Sequence, residues 1–220
     1  MLTLTGVVFG STGLIGGHLV EELLKDEVFK QVVMVTRKPL EKSHPKLVIQ
    51  TIDLMDAEAI ESVIPEGAIV FSAIGTTMKT VKWDRDLYRS IDFGINEAIS
   101  NASVRKNVPA LLVVSSIGAN SKSSNFYTAL KGQIEESLRE KNLRSLIIVQ
   151  PSLLLGPRSG FRLGEKLAQW IIPLFSFLMP SAYRPIKGIE VARAMVRYSK
   201  KQLTGVQVIT YQEMKTHQIK

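Results

Sequence analysis

One stretch near the amino terminus decides the fold: residues 4–16 read LTGVVFGSTGLIG. The β-branched run Leu4–Phe9 predicts a buried strand, and apolar residues at three- and four-residue spacing predict a helix over Gly13–Lys25. Glycine at this junction adopts positive φ, lets the backbone approach a pyrophosphate, and lets the helix pack closely on the strand. The alternative is a loop that simply contains glycines. The position between strand and helix favours a dinucleotide-binding turn, with phosphates at the helix N-terminus. Its predicted cofactor-binding residues are Gly10, Ser11, Thr12, Gly13, Leu14, Ile15 and Gly16.

Short apolar runs alternate with helical patterns along the rest of the chain. The predicted strands are Leu4–Phe9, Gln31–Val35, Leu47–Ile52, Ala68–Ser72, Ala110–Ser115, Ser145–Gln150 and Val206–Thr210. The predicted helices are Gly13–Lys25, Tyr88–Val104, Asn125–Lys141 and Gly188–Tyr198. This alternation predicts an α/β fold with a Rossmann-type doubly wound parallel sheet. We expect a single domain over 1–220, with a cofactor-binding core at 1–150 and a small C-terminal substrate-side elaboration at 151–220.

Composition narrows the functional class. The 220 residues include 28 Lys and Arg against 20 Asp and Glu, a formal net charge of +8. Because no basic run is interleaved with aromatics, this charge favours a phosphate-bearing small ligand and not nucleic acid. Cysteine is absent, which excludes disulfides and thiolate metal sites and fits a reducing compartment. The three histidines have no metal-ligand spacing, so we predict no metal site.

The sequence also suggests a location. Met1 leads almost directly into the first predicted strand, with no pattern typical of a signal peptide. The apolar stretch Trp170–Met179 contains Pro173 and is far shorter than the ~20 residues of a membrane-spanning helix. We therefore predict a cytoplasmic protein with no membrane span.

The end of the second predicted strand indicates which dinucleotide binds. NAD sites usually carry Asp or Glu there, which accepts a hydrogen bond from the ribose 2′-hydroxyl. This chain has Thr36 followed by Arg37 and Lys38, so no carboxylate repels a 2′-phosphate and two cations are available to pair with it. The alternative is a solvated basic pair. We predict NADP(H), with NAD(H) as the second choice.

Two further turns follow predicted strands at the same sheet edge. Asp53 offers a carboxylate for the adenine amino group with Leu54 against the ring, or it caps the segment that follows. Small residues after the fourth strand let the backbone run along the ribose and nicotinamide, or they form a plain turn. These predicted cofactor-binding residues are Ala73, Ile74 and Gly75.

A third group of residues follows the fifth predicted strand. Ser115 and Ser116 end this strand, and Tyr127 and Lys131 lie on the helix after it. Positions four apart share a helix face, so Lys131 lies on the Tyr127 side and near the cofactor ribose.

With these residues in register, the chain resembles the short-chain dehydrogenase/reductase superfamily over nearly its whole length. It is similar in particular to the atypical branch of Tat-interacting oxidoreductase-like proteins. The phrases that carry this similarity are Ser115–Ala119, Ser123–Tyr127, Lys131-Gly132, Gln150–Pro157 and Pro185–Ala192.

The resemblance implies an NAD(P)-dependent oxidoreductase that acts on a small carbonyl or alcohol substrate, as a monomer or homodimer. Tyr127 would be the general acid/base, and Lys131 would lower the pKa of its phenol and bind the ribose. Ser116, or Ser115 in its place, would orient the substrate oxygen. The residues that would border the nicotinamide are Pro151, Ser152, Leu153 and Leu154.

The resemblance is incomplete at Asp92, where extended relatives tend to have Asn that holds a water for proton relay. An Asp there either holds a water too, signals altered turnover, or is a plain helix residue. It motivates an alternative function, an NADP(H)-binding regulator or redox sensor with little or no turnover. The apolar segment Arg158–Met179 is a pocket wall, a dimer surface or core.

Overall fold

The computed structural model describes residues 3–155 and 184–216. Their strands are β1 (Leu4–Phe9), β2 (Phe29–Thr36), β3 (Leu47–Thr51), β4 (Ile69–Ser72), β5 (Ala110–Val114), β6 (Ser145–Val149), β7 (Leu154–Leu155), β8 (Ile186–Lys187) and β9 (Gly205–Ile209). Their helices are α1 (Leu14–Lys25), α2 (Ala57–Ser62), α3 (Arg85–Arg89), α4 (Ile95–Arg105), α5 (Phe126–Arg139), α6 (Gly188–Ser199) and α7 (Tyr211–Lys215), with a π-helical turn (Ser90–Gly94) joining α3 to α4.

Seven of these strands form one parallel sheet in the order β3-β2-β1-β4-β5-β6-β9. A separate parallel pair, β7 and β8, joins the segment after β6 to the start of α6. The chain winds outward from β1 in both directions, so β1 and β4 flank the point where the winding reverses. In such sheets ligands bind beyond the carboxyl ends of the strands at this reversal.

Both faces of the sheet are buried, which explains the unbroken apolar runs. Along β1, Val7 and Phe9 belong to one core cluster and Val8 belongs to the other. The first cluster lies under α2, α4 and α5, and the second lies under α1, α6 and α7. Strands covered on both sides are typical of doubly wound sheets. The predicted Rossmann-type fold is confirmed.

Ion pairs reinforce the contact of α1 with α6. Arg193 lies 3.1 Å from Glu22, and Lys200 lies 2.5 Å from Asp26. Burial alone would raise the pKa of both carboxyls. Hydrogen bonds from the paired cations outweigh it, so the pKa of Glu22 and the pKa of Asp26 lie below their ordinary values.

The structure departs from the predicted elements at a few points. The helix expected over Tyr88–Val104 is divided by the π-helical turn, and Gly13 caps α1 instead of lying inside it. The short elements α2, α7, β7 and β8 were not predicted. Within the described ranges, no helix is both long and apolar enough to cross a bilayer. The apolar segment Arg158–Met179 lies outside the described residues.

Candidate cofactor and catalytic site

The glycine turn joins β1 to α1 at the winding reversal. Gly10 has a φ of +73°, and a Cβ there would lie 2.5 Å from the carbonyl oxygen of Ala73. A Cβ on Gly16 would overlap the carbonyl oxygen of Gly10. Gly13 donates its amide to that same oxygen at 3.0 Å and caps α1 without a side-chain hydrogen bond. This tight turn leaves the helix N-terminus free to bind phosphate, so its shape fits a dinucleotide.

Ser11 and Thr12 have different surroundings within this turn. Ser11 is buried, and its hydroxyl donates to the carbonyl oxygen of Val35 at 2.6 Å. It therefore ties the turn to β2 through its side chain. Thr12 is exposed.

Two cations, Arg37 and Lys38, follow the end of β2. Thr36 is buried, and its hydroxyl lies 3.2 Å from that of Thr51 on β3. Arg37 and Lys38 are exposed, and neither forms an ion pair with any residue that the structure describes. Both side chains remain available to an anion at this edge of the sheet.

The turn after β3 distinguishes the two interpretations of Asp53. The N-cap of α2 is Asp56, whose Oδ1 accepts from the amides of Glu58 and Ala59. Asp53 instead accepts from the amide of Met55 at 2.9 Å and is exposed. Leu54 is buried in the core. Asp53 therefore stiffens the turn and does not begin the helix.

The turn after β4 lies against the π-helical turn. Ala73 donates its amide to the carbonyl oxygen of Phe9 at 3.0 Å, which holds the turn beside Gly10. The amide of Thr76 donates to Oδ1 of Asp92 at 2.8 Å. Ile74 is buried and Gly75 is exposed, so this turn offers mostly backbone to the crevice.

Asp92 and Lys131 form a buried ion pair. Lys131 Nζ lies 2.9 Å from Asp92 Oδ2, and the two residues are 5% and 0% exposed. The ammonium approaches Oδ2 closely without forming a directed hydrogen bond to it. Within the π-helical turn, Asp92 sits where helices often carry functional residues. The resemblance did not imply this direct pairing.

Tyr127 lies in the first turn of α5, one turn before Lys131. Asn125 caps the helix by accepting from the amides of Tyr127 and Thr128. Lys131 Nζ lies 6.0 Å from the centre of the Tyr127 ring, and Tyr127 is 41% exposed. The structure therefore brings together the tyrosine and the lysine that the sequence singled out, with the phenol ring open to solvent.

A second polar network connects Asp92 to the end of β4, and it was not predicted from the sequence. Asn96 is buried and donates its amide to the backbone carbonyl of Asp92 at 2.7 Å. Its own carbonyl accepts from the hydroxyl of Ser72, at the end of β4, at 2.6 Å. This chain of hydrogen bonds fixes the π-helical turn against the sheet.

The two serines after β5 have different partners. Ser115 donates to Oε1 of Glu135 at 2.5 Å, and Gln150 donates to the same atom at 2.8 Å. Glu135 is buried on α5, one turn beyond Lys131, so it ties the ends of β5 and β6 to that helix. Among the described residues, the hydroxyl of Ser116 donates to the neighbouring carbonyl of Ile117 at 3.2 Å.

The segment after β6 runs beside these serines. The amide of Ile117 donates to the carbonyl oxygen of Pro151 at 3.0 Å. Leu153 is 50% exposed, whereas Leu154 is half-buried in β7. The residues bordering this side of the crevice therefore include an apolar side chain open to solvent.

A family model described as NAD(P)H-binding matches residues 10–170 of this chain, from the glycine turn onward. The chain belongs to the NAD(P)H-binding family. A nicotinamide cofactor is therefore confirmed as the class of ligand. The match agrees with the NAD(P)-binding part of the resemblance to short-chain dehydrogenases.

Curated relatives and solved structures are similar to this chain over most of its length. Protein FMP52-1 of Scheffersomyces stipitis is 32% identical over 88% of this chain and 87% of its own length. Protein FMP52 of Lodderomyces elongisporus is 29% identical over 90% of this chain and 88% of its own. WbmH of Bordetella bronchiseptica, solved in complex with NAD+, has a TM-score of 0.69 at 17% identity, covering 94% of this chain and 76% of WbmH. At that identity the likeness shows the fold alone.

The names of the relatives correct one prediction. Both FMP52 proteins are named mitochondrial. The cytoplasmic location expected from the first residues and the short apolar stretch is therefore contradicted, and that prediction is wrong.

Proposed function

We propose that this NAD(P)H-binding protein is an NADPH-dependent oxidoreductase acting on a small carbonyl or alcohol substrate. The observation that carries the proposal is the placement of Tyr127 one helical turn before the buried Lys131, at the carboxyl edge of the sheet and beyond the glycine turn. A bound nicotinamide supplies or accepts the hydride. The chain's own residues position the substrate and move a proton.

In this proposal Tyr127 is the general acid/base. Its exposed phenol hydroxyl gives a proton to the substrate oxygen in reduction and takes it back in oxidation. The Lys131 Nζ lies 6.0 Å from the centre of the Tyr127 ring, and the carboxylate of Asp92 holds it there. Ser116 holds the substrate oxygen, because Ser115 is already engaged with Glu135.

The deciding test is Tyr127→Phe, with Tyr211→Phe on α7 as the matched control. We expect Tyr127→Phe to bind NADPH as the unmodified protein does and to lose at least ~100-fold in NADPH oxidation against a panel of carbonyl compounds. The control should keep its turnover. Full turnover by Tyr127→Phe would reject the assigned role.

We also propose that NADP(H) is preferred over NAD(H) through Arg37 and Lys38. Both cations are exposed and unpaired among the described residues, and no carboxylate lies beside Thr36 at the end of β2. Arg37→Glu should weaken NADPH binding by roughly 10- to 100-fold while NADH binding changes little, because one charge-assisted hydrogen bond is lost. The control Lys30→Glu makes the same charge change at the opposite end of β2 and should change neither NADPH binding nor NADH binding.

A second candidate is an NADP(H)-binding regulator with little or no turnover. The observation that favours it is the pairing of Lys131 with Asp92, because the Asp92 carboxylate balances the charge of the ammonium without any phenolate. Steady NADPH oxidation with any member of the carbonyl panel would reject this candidate. A change in proteolytic protection on NADPH binding, without turnover, would support it.

A further inference from the structure

A pocket of about 250 Å³ opens at the edge of the sheet opposite the glycine turn. Its walls include the first residues of four adjacent strands, which are Leu4, Ile69, Ala110 and Ser145. The end of α6 and the loop that follows it close the other side. Because the strands are about five residues long and rise about 3.3 Å per residue, this pocket lies ~16 Å from the carboxyl edge of the sheet. The pocket is therefore separate from the nucleotide crevice.

The body of the pocket is apolar, and one unsatisfied hydroxyl lies buried behind it. Ile69, Ile147 and Leu203 line it together with the ring of Tyr198. Ser145 is 1% exposed, and its Oγ has no hydrogen-bond partner among the described residues. Strand alternation places this hydroxyl on the same sheet face as Ile147. That Oγ has almost no accessible surface, so it lies behind the pocket lining and a ligand in the pocket does not reach it.

The charge at the pocket is positive. The described residues that line it include Arg144 and Lys200 and no Asp or Glu. Lys200 is already held by Asp26 at 2.5 Å. The exposed Arg144 forms no ion pair within residues 3–155 and 184–216, so its guanidinium is free to bind a carboxylate through two parallel hydrogen bonds.

We propose that this pocket is a second ligand site, which binds a small monocarboxylate with an apolar body. The carboxylate pairs with Arg144 and the body lies against Tyr198 and Leu203. At about 30 Å³ for each water-sized group, the pocket holds roughly eight such groups. Hexanoate has this size and chemistry and serves as the probe.

The test is titration of the full chain with hexanoate, monitored by calorimetry and ligand-observed NMR. It is done once without NADPH and once with saturating NADPH. Hexanoate should bind equally in both conditions. Hexan-1-ol should bind at least ~10-fold more weakly and hexylamine not at all, because only the carboxylate pairs with the guanidinium. Arg144→Gln should weaken hexanoate binding at least ~10-fold. Arg105→Gln, an exposed arginine away from the pocket, should leave it unchanged.

Two variants test whether hexanoate binds in this pocket and through Arg144. Leu203→Trp fills the pocket and should abolish binding. Arg144→Glu changes only an exposed side chain and should exclude hexanoate and admit hexylamine. Absence of hexanoate binding at 10 mM, equal binding of hexan-1-ol, competition by NADPH, or binding unaffected by both variants would each overturn the proposal.

Discussion

Replacing Asp92 with asparagine tests whether the Asp92–Lys131 pair is a stabilising element. The new side chain keeps an oxygen for the amide of Thr76 but loses the charge that lies 2.9 Å from Lys131 Nζ. The lysine is only 5% exposed, so its ammonium stays buried without compensation. Breaking one partner of a buried ion pair costs about 3–5 kcal/mol, and we expect Asp92→Asn to lower the free energy of unfolding by that amount.

The assay is urea denaturation followed by far-UV circular dichroism, applied to a double-mutant cycle. Lys131→Met removes the ammonium, and the double variant removes both charges. Because the double variant leaves no unpaired buried charge, it should be more stable than Asp92→Asn alone, with a coupling free energy of at least ~2 kcal/mol. If the two single losses add to within ~0.5 kcal/mol, the pair does not act as a unit and this reasoning is refuted.

Three further predictions concern the turn, the α1–α6 contact and the Glu135 network. Gly16→Ala should lower the free energy of unfolding by about 1–3 kcal/mol and weaken NADPH binding, because the new methyl overlaps a carbonyl of the turn; Gly94→Ala, which meets nothing within 4 Å, is the control in thermal melts and nucleotide titrations. The lowered pKa of Glu22 contributes stability that is present above the ordinary value of 4.5 and is lost as pH falls through its folded value. In urea denaturation between pH 3 and 6, the free energy of unfolding of Glu22→Gln should therefore fall less steeply with decreasing pH than that of the unmodified protein. An equally steep fall would contradict this. Ser115→Ala should cost about 1–3 kcal/mol in the same denaturation assay, because it removes a buried hydrogen bond to Glu135; a loss below ~0.5 kcal/mol would show that this bond contributes little.

The sequence was most informative where a local pattern determines local structure. All seven strands of the main sheet were predicted from apolar runs, with ends that differ by at most two residues; β2, for example, begins at Phe29 and not at Gln31. Parallel strands that are buried on both faces are apolar at nearly every residue, so they are easy to recognise in a sequence. The glycine turn was equally clear because steric contacts require its glycines.

The supporting polar networks were not predictable in the same way. Glu135 reaches Ser115 and Gln150 across 20 and 15 positions of sequence, and no local pattern marks such partners. Asn96 reads as an ordinary polar helix residue until β4 brings Ser72 against it. The division of the helix expected over Tyr88–Val104 also depends on tertiary contacts, because Asp92 is drawn to Thr76 and to Lys131.

The wide turn at Ser90–Gly94 bears on how this chain tolerates changes in length. A π-helical turn holds one residue more than an α-helical turn, and the helices on either side keep their orientation. Deleting Asp92 should therefore join α3 and α4 into one regular helix while Ile95 and Ile99 stay in the core. What would vanish is the acidic group beside the lysine, so a homologue shorter by one residue at this point could keep the architecture and lose the chemistry.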